Sequence, residues 1–353
     1  MMNNTNPPHS ETLSDRKENI TCRDLLQNHL HLDGTVFANL NEQDLQLADQ
    51  LFHPLSISAG DTLYRQGEPG DALMYIVKGR VKVESDGIEH GEIAAGNVVG
   101  EMALFIKRAR SASITAVVDT ELLHLQNIDF IALREAGSIL AWRLERAISQ
   151  SLSRRMRVMV DRIKEEMKPN TQADNDRNQV SQPSLLSRIK SCLVSAPQKP
   201  QSADLPAEQV LRQSDLFEHE TDKVLTALSE LVRADNYPAG SYLCRQGTAG
   251  DRLYFIINGQ INIKMSLGNT DGPVKIASVG AGAVLGLMDL ADHQGCSADC
   301  IVASDVLTFS LHRETWEKLF KQNDAVGSAM RLAVIREFCK NIAATNDYVG
   351  SHP

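Results

Sequence analysis

Aromatic side chains are scarce, at 5% of the 353 residues. So few flat rings argue against a surface that stacks nucleic-acid bases. Positive charge is also in deficit. Lys and Arg number 36 against 45 Asp and Glu, a net charge of −9. Such a chain repels a phosphate backbone unless a local basic patch offsets the repulsion, so DNA is not an expected partner. No apolar run approaches the roughly 18–20 residues that cross a bilayer. The N-terminus, MMNNTNPPHSETLSDRKENITC, is polar throughout and lacks a secretory core. Paired cysteines are missing too. Cys22, Cys192, Cys244, Cys296, Cys300 and Cys339 are scattered, as reduced thiols of a cytoplasmic chain would be. Cys296 and Cys300 lie close but without a second ligand pair, so they read as small apolar fillers and no metal site is expected.

What the sequence does contain is a repeat. AGDTLYRQGEPGDALMYIVKG from Ala59 and AGSYLCRQGTAGDRLYFIING from Ala239 share 11 of 21 positions at an offset of 180. Upstream, Phe37, Leu45 and Leu51 meet Phe217, Leu225 and Leu231. Downstream, Gly96, Gly100, Asp119 and Leu125 meet Gly282, Gly286, Asp305 and Leu311 at an offset of 186. The six extra residues fall in a loop around Ser266–Pro273. A period this long means one domain duplicated, not a solenoid. Within each copy, short β-branched runs such as Leu73–Val77 and Arg80–Glu84 are separated by Gly67, Gly70 and Gly79, the pattern of a β-sandwich or barrel. Helical spacing precedes the first block at Leu40, Leu45, Leu47, Leu51 and Phe52. An amphipathic stretch from about Ile128 to Met167 follows it. Residues 168–207, rich in Pro, Asn, Gln and Ser, read as a flexible linker with a short apolar patch at Leu185–Leu193. Residues 1–20 read as a disordered tail. The expected domains are therefore 21–167 and 208–353.

The most informative string is GNVVGEMALFIKRARSASITA, Gly96 to Ala116. Gly100 permits close backbone approach. Glu101 presents a carboxylate to a hydroxyl pair, and Met102–Phe105 can open a short helix with free N–H groups. Arg110 offers a planar fork to a phosphate diester. The string resembles the phosphate-binding cassette of the cyclic-nucleotide-binding domain family, Phe-Gly-Glu-(Leu/Met)-Ala-Leu followed by Pro-Arg-(Ala/Ser/Thr)-Ala. That family includes bacterial catabolite activators and protein kinase A regulatory subunits. Val99 and Ala109 replace its Phe and Pro, and neither change removes a ligand contact. The resemblance extends over about Asp33–Met167 and Leu211–Ala344. It implies a mainly β fold with flanking helices: two jelly-roll-like β-roll domains in tandem. It further implies that Glu101 holds the ribose 2′-hydroxyl and Arg110 the cyclic phosphate. Gly100, Met102, Ala103, Ser111 and Ala112 complete the pocket. Ser111 favours cyclic AMP, because Thr is common there in cyclic GMP binders. No cofactor beyond this ligand is implied.

The second copy departs from the pattern. Leu287 aligns with Glu101, Cys296 with Arg110 and Asp289 with Ala103. Both charged ligands are lost, and Asp289 and Asp292 would repel a phosphate, so this copy is expected to be a degenerate domain that binds no nucleotide. The output is expected to travel through the helix after the first β block. There Ile139, Leu140, Leu144, Ile148, Leu152, Met156, Met159 and Ile163 recur at three- to four-residue steps, either packed on their own domain or as a lid that doubles as a dimer seam. Trp142 is the nearest aromatic to cap a base, with a place in the core as the alternative. Residues 143–168 carry eight basic and four acidic side chains, the pattern of a solvated helix face. Only about 40 residues follow Leu311, too few for a helix-turn-helix. The Arg154-Arg155 pair lacks the context of a kinase inhibitor segment. His293 beside Asp292 forms no recognisable triad. The expected protein is a non-enzymatic cyclic AMP receptor acting on a protein partner or a twin chain. A kinase regulatory subunit and a cyclic GMP sensor are the alternatives.

Overall fold

The computed structural model describes residues 21–26, 35–166, 206–214, 216–217, 220–267 and 272–351. The expected tail, the patch Leu185–Leu193 and all of the expected linker but its last two residues lie outside them.

The first copy opens with α1 (Cys22–Leu26) and α2 (Glu42–Leu51). Asn41 caps α2 by accepting from the Asp44 amide at 2.8 Å. Eight strands follow: β1 (Phe52–Ile57), β2 (Thr62–Tyr64), β3 (Ala72–Lys78), β4 (Arg80–Ser85), β5 (Ile88–Ala94), β6 (Val98–Val99), β7 (Ser113–Ala116) and β8 (Thr120–Gln126). The short helix α3 (Glu101–Phe105) sits between β6 and β7. Then come α4 (Asn127–Glu135) and α5 (Ile139–Glu166). The strands form two antiparallel sheets, ordered β1-β8-β3-β6 and β2-β7-β4-β5.

The second copy begins with α6 (Ala207–Gln213) and α7 (Asp222–Ser229). It continues with β9 (Arg233–Tyr237), β10 (Tyr242–Cys244), β11 (Arg252–Ile256), β12 (Gln260–Met265), β13 (Val274–Val279) and β14 (Val284–Leu285). Helix α8 (Leu287–Asp292), β15 (Asp299–Ser304), β16 (Val306–His312), α9 (Arg313–Lys321) and α10 (Ala325–Ser351) complete it. Its sheets, β14-β11-β16-β9 and β10-β15-β12-β13, repeat the first copy strand for strand. Even the register repeats: Tyr75 faces Leu123 and Phe255 faces Phe309, each pair related by the offsets of 180 and 186. The extra six residues are visible as hairpin length. The β4–β5 turn is two residues, Asp86 and Gly87, whereas residues 266–273 join β12 to β13.

One expected helix is two. The stretch 128–167 breaks at Gly137, whose φ of 64° is left-handed, between α4 and α5. Ser138 then accepts the Leu140 amide at 3.2 Å and restarts the helix. The periodic residues Leu140, Leu144, Ile148, Leu152 and Met156 are buried, as their spacing predicts. Their partner is α10 of the same chain, which packs along α5, so the apolar seam is covered within the chain. One apolar core consequently runs through both copies. At the junction Arg331 on α10 pairs with Glu145 on α5 at 2.7 Å, both fully buried. Arg134 at 3.1 Å and Ser328 at 2.8 Å also donate to Glu145.

Candidate functional site

Gly100 connects β6 to α3 with φ 88°. A Cβ there would meet Arg110 Nη1 at 2.5 Å and the Ala72 carbonyl at 3.0 Å, so only glycine fits. Gly70 is equally constrained, by Ala103 Cβ at 2.5 Å and Arg110 Nε at 2.9 Å. These two close approaches fold the cassette around a buried guanidinium. Arg110 donates to the Gly100 carbonyl at 2.9 Å and lies 4.2 Å over the Tyr64 ring. Burial, with the Glu101 carboxylate near, pushes the Tyr64 phenol up, so it stays neutral.

The structure brings all seven expected residues, Gly100, Glu101, Met102, Ala103, Arg110, Ser111 and Ala112, around one cavity of about 290 Å³. Glu101 and Arg110 are 2% and 6% exposed. Among the described residues, Glu101 Oε2 and Arg110 Nε have no hydrogen-bond partner. Buried polar atoms are rarely left so, because each costs about 1–3 kcal/mol. Glu101 and Arg110 thus bring an acceptor side chain and a donor side chain to the lining of the cavity.

Lining groups outside the sequence motif include three that bear on the chemistry of the site. Arg155 on α5 pairs with Glu101 Oε1 at 2.6 Å and donates to the Val98 carbonyl at 2.5 Å. Ile342 and Asn346 reach the same cavity from α10, in the other copy. The Arg154-Arg155 dipeptide carried a weak signal in its charge. Ile342 and Asn346 carried none, because no local pattern says which helix of one copy covers the pocket of the other. Trp142, a candidate base cap or core residue, is not in the lining. It stacks on Arg146, 4.7 Å from its ring centroid, because Leu140 and Leu144 turn the opposite face of α5 into the core. The aliphatic Val158 and Met159 line the cavity from α5 instead.

The second cassette keeps the backbone and not the chemistry. Gly286 has φ 96° at the start of α8, matching Gly100. The cavity is about 70 Å³, lined by Leu287, Asp289, Cys244, Cys296 and Cys300 among others. That is about a quarter of the first cassette's cavity. Asp289, 2% exposed, accepts from the Gly250 amide at 2.7 Å and the Gly295 amide at 2.5 Å, and pairs with Arg313. Gly250 corresponds to Gly70, and the group nearest its absent Cβ is this carboxylate, where Gly70 meets Ala103 and Arg110. Asp289 and Asp292, expected to repel a phosphate, are thus each neutralised within the protein. Asp292 is held by Arg157, with Nε at 2.5 Å and Nη2 at 2.7 Å. His293 lies beside Arg313, its Nδ1 2.8 Å from Arg313 Nη1. A hydrogen bond to Cys244 and burial push the Cys296 thiol up, which suits an apolar filler.

The family described as cyclic nucleotide-binding domain matches residues 54–136 and 234–323. The chain carries two cyclic nucleotide-binding domains in tandem. It is 22% identical over 343 residues to the cGMP-dependent protein kinase egl-4 of Caenorhabditis elegans, covering 96% of this chain and 36% of that kinase. The chain thus spans about a third of that relative's length. Among solved structures, a cyclic nucleotide-binding domain from Methylobacillus flagellatus matches 40% of this chain and 79% of its own at 22% identity and a TM-score of 0.36. The regulatory domain of Toxoplasma gondii PKA with cAMP matches 85% of this chain and 93% of its own at 19% identity and a TM-score of 0.29. Of the two cyclic nucleotide-binding domains here, the first holds the expected ligand residues around its cavity. The second has a carboxylate, a leucine and a cysteine in their places. Among the described residues, no helix is long and apolar enough to cross a membrane.

Proposed function

We propose that this chain is a cyclic AMP receptor with one working site, in its first domain. The observation that carries the reading is that Glu101 and Arg110, both buried and each with an unpartnered side-chain atom, Oε2 and Nε, line one cavity of about 290 Å³ together with the other five cassette residues. A ribose hydroxyl donates to the first and a cyclic phosphate accepts from the second. Gly100, Met102, Ala103, Ser111 and Ala112 close around the sugar and phosphate. Micromolar binding needs about 8 kcal/mol. Charge-assisted hydrogen bonds at about 1.5–3 kcal/mol each, with burial of the base, reach it.

The base then extends toward α5 and α10, between Val158, Met159 and Ile342. Asn346 is the amide at that end. A carboxamide can pair with the N6 and N7 edge of adenine, a match guanine does not offer. Ser111 adds to the preference, since the family's cyclic GMP binders commonly carry Thr at its position. The cGMP-dependent kinase among the relatives favours the second reading, cyclic GMP. Titration of the full chain with each nucleotide separates the two. Tighter binding of cyclic AMP is expected; tighter binding of cyclic GMP establishes the alternative.

The second domain binds no nucleotide in this reading. Ligand in the first domain shifts the population of α5 and α10 arrangements, and a protein partner or twin chain reads the change. The protein is a regulator, not an enzyme. Its scattered cysteines suit a cytoplasmic location. A kinase regulatory subunit is a special case of the same mechanism. Any turnover of nucleotide by the purified chain would contradict it.

A further inference from the structure

Helix α5 is shared between the two domains. One face carries Ser151, Arg154, Arg155, Val158 and Met159 into the first domain's cavity. The adjacent face carries Ser153 and Arg157, one turn apart, to the second cassette. There Asp292, at the end of α8, receives Arg157 through both Nε and Nη2, and Ser153 Oγ at 2.7 Å. Arg157 Nη2 also donates to the Gly295 carbonyl at 2.8 Å. The side chains of Arg157 and Asp292 are 15% and 5% exposed, so the pair is well shielded from screening. A two-point grip of this kind fixes the rotation of a helix as well as its position, because a guanidinium fork tolerates little misalignment. Behind Asp292 the second cassette is itself immobilised by Asp289, Arg313 and the Gly250 and Gly295 amides.

The geometry points to Asp292 as a positioning residue for the nucleotide site of the other domain. Through Arg157 and Ser153 it sets the rotation of α5, and so where Arg155 meets Glu101 and where Val158 and Met159 meet the ligand. The lost ligand chemistry of the second cassette thereby acquires a use: the carboxylate at the end of its helix holds the neighbour's lid. This inference rests on the reading of Glu101 and Arg110 as the nucleotide site.

The test is calorimetry and hydrogen exchange on the full chain with cyclic AMP. Asp292→Ala and Arg157→Ala are expected to weaken binding about tenfold, and Arg157→Lys, which keeps the charge with a single donor group, to fall between them and the native chain. Saturating cyclic AMP is expected to slow amide exchange in residues 286–296 of the native chain, though no ligand touches them, and to leave them unchanged in Arg157→Ala. A purely structural pair would lower thermal stability without that long-range protection. The milder Ser153→Ala serves if Asp292→Ala does not fold, with an expected loss of about threefold. Native affinity in Arg157→Ala and Ser153→Ala, or no protection of 286–296 in the native chain, overturns the inference. Arg110→Ala distinguishes the two levels. If it retains cyclic AMP binding, the site itself is wrong; if it loses binding while Arg157→Ala does not, only the positioning role fails.

Discussion

The two cassettes share a backbone, and three of the side chains in which they differ set the chemistry of the cavity. In the first, Glu101, Ala103 and Arg110 line a cavity of about 290 Å³, and Glu101 and Arg110 each keep an unpartnered side-chain atom. In the second, Leu287, Asp289 and Cys296 leave about 70 Å³, and Asp289 is bonded to Arg313 and two backbone amides. The left-handed glycines at 100 and 286 are the same, so the turn belongs to the fold and the ligand chemistry does not. Asp289 illustrates how such a cavity is filled. Simply deleting the ligand arginine would leave an open cavity lined by unpaired amides. A buried carboxylate with its own arginine closes it from inside.

The comparison is broken most strongly at the buried charges that hold the domains together. Glu145→Ala leaves Arg331 buried and unpaired, and is expected to destabilise the chain by about 3–5 kcal/mol in chemical denaturation. Burial already lowers the Arg331 pKa, and removing Glu145 removes the larger of the two carboxylate influences that sustain its charge, the other being Asp324. Asp289→Ala attacks the closed cassette alone. It is expected to lower stability by about 2–4 kcal/mol, because two amides and Arg313 lose their acceptor, while cyclic AMP affinity in the first domain changes less than in Arg110→Ala. Arg110→Ala and Glu101→Ala do the reverse, weakening cyclic AMP binding by at least tenfold, or about 1.4 kcal/mol, with the fold intact by circular dichroism. Ala103→Asp imports the second cassette's carboxylate into the first. It is expected to abolish detectable cyclic AMP binding in the same titration, by repelling the phosphate and pairing with Arg110.

The smallest effect is a pH dependence. Burial alone would raise the Asp292 pKa, but Arg157 and Ser153 outweigh it and hold the carboxyl below the usual carboxylate range. Its contribution to stability is therefore fully present above the ordinary Asp value near 4 and is lost as pH falls through the depressed one. Thermal melts between pH 7 and pH 3 are expected to show a shallower acid loss in Asp292→Asn than in the native chain.

Much of this was legible in the sequence because it is local. The repeat offsets of 180 and 186 fall where the registers Tyr75–Leu123 and Phe255–Phe309 repeat, and the six extra residues fall in one hairpin. The seven cassette residues are close in sequence, and the structure gathers them on one cavity. Three things were not legible. Gly137 ends a helix only because it takes a left-handed conformation, a fact of geometry that its composition does not carry. Trp142 is the aromatic nearest in sequence that could cap a base, yet the apolar phase of α5 turns it away from the pocket. Ile342, Asn346 and the Arg157–Asp292 pair depend on how two copies of one domain dock, which no periodicity within either copy encodes.

Stoichiometry decides between a working cassette and a retired one. Isothermal titration of the full native chain with cyclic AMP, repeated on Arg110→Ala, is expected to give one site per chain in the first and none in the second. Two sites in the native chain, or a site that survives in Arg110→Ala, would contradict the division of labour between the two domains.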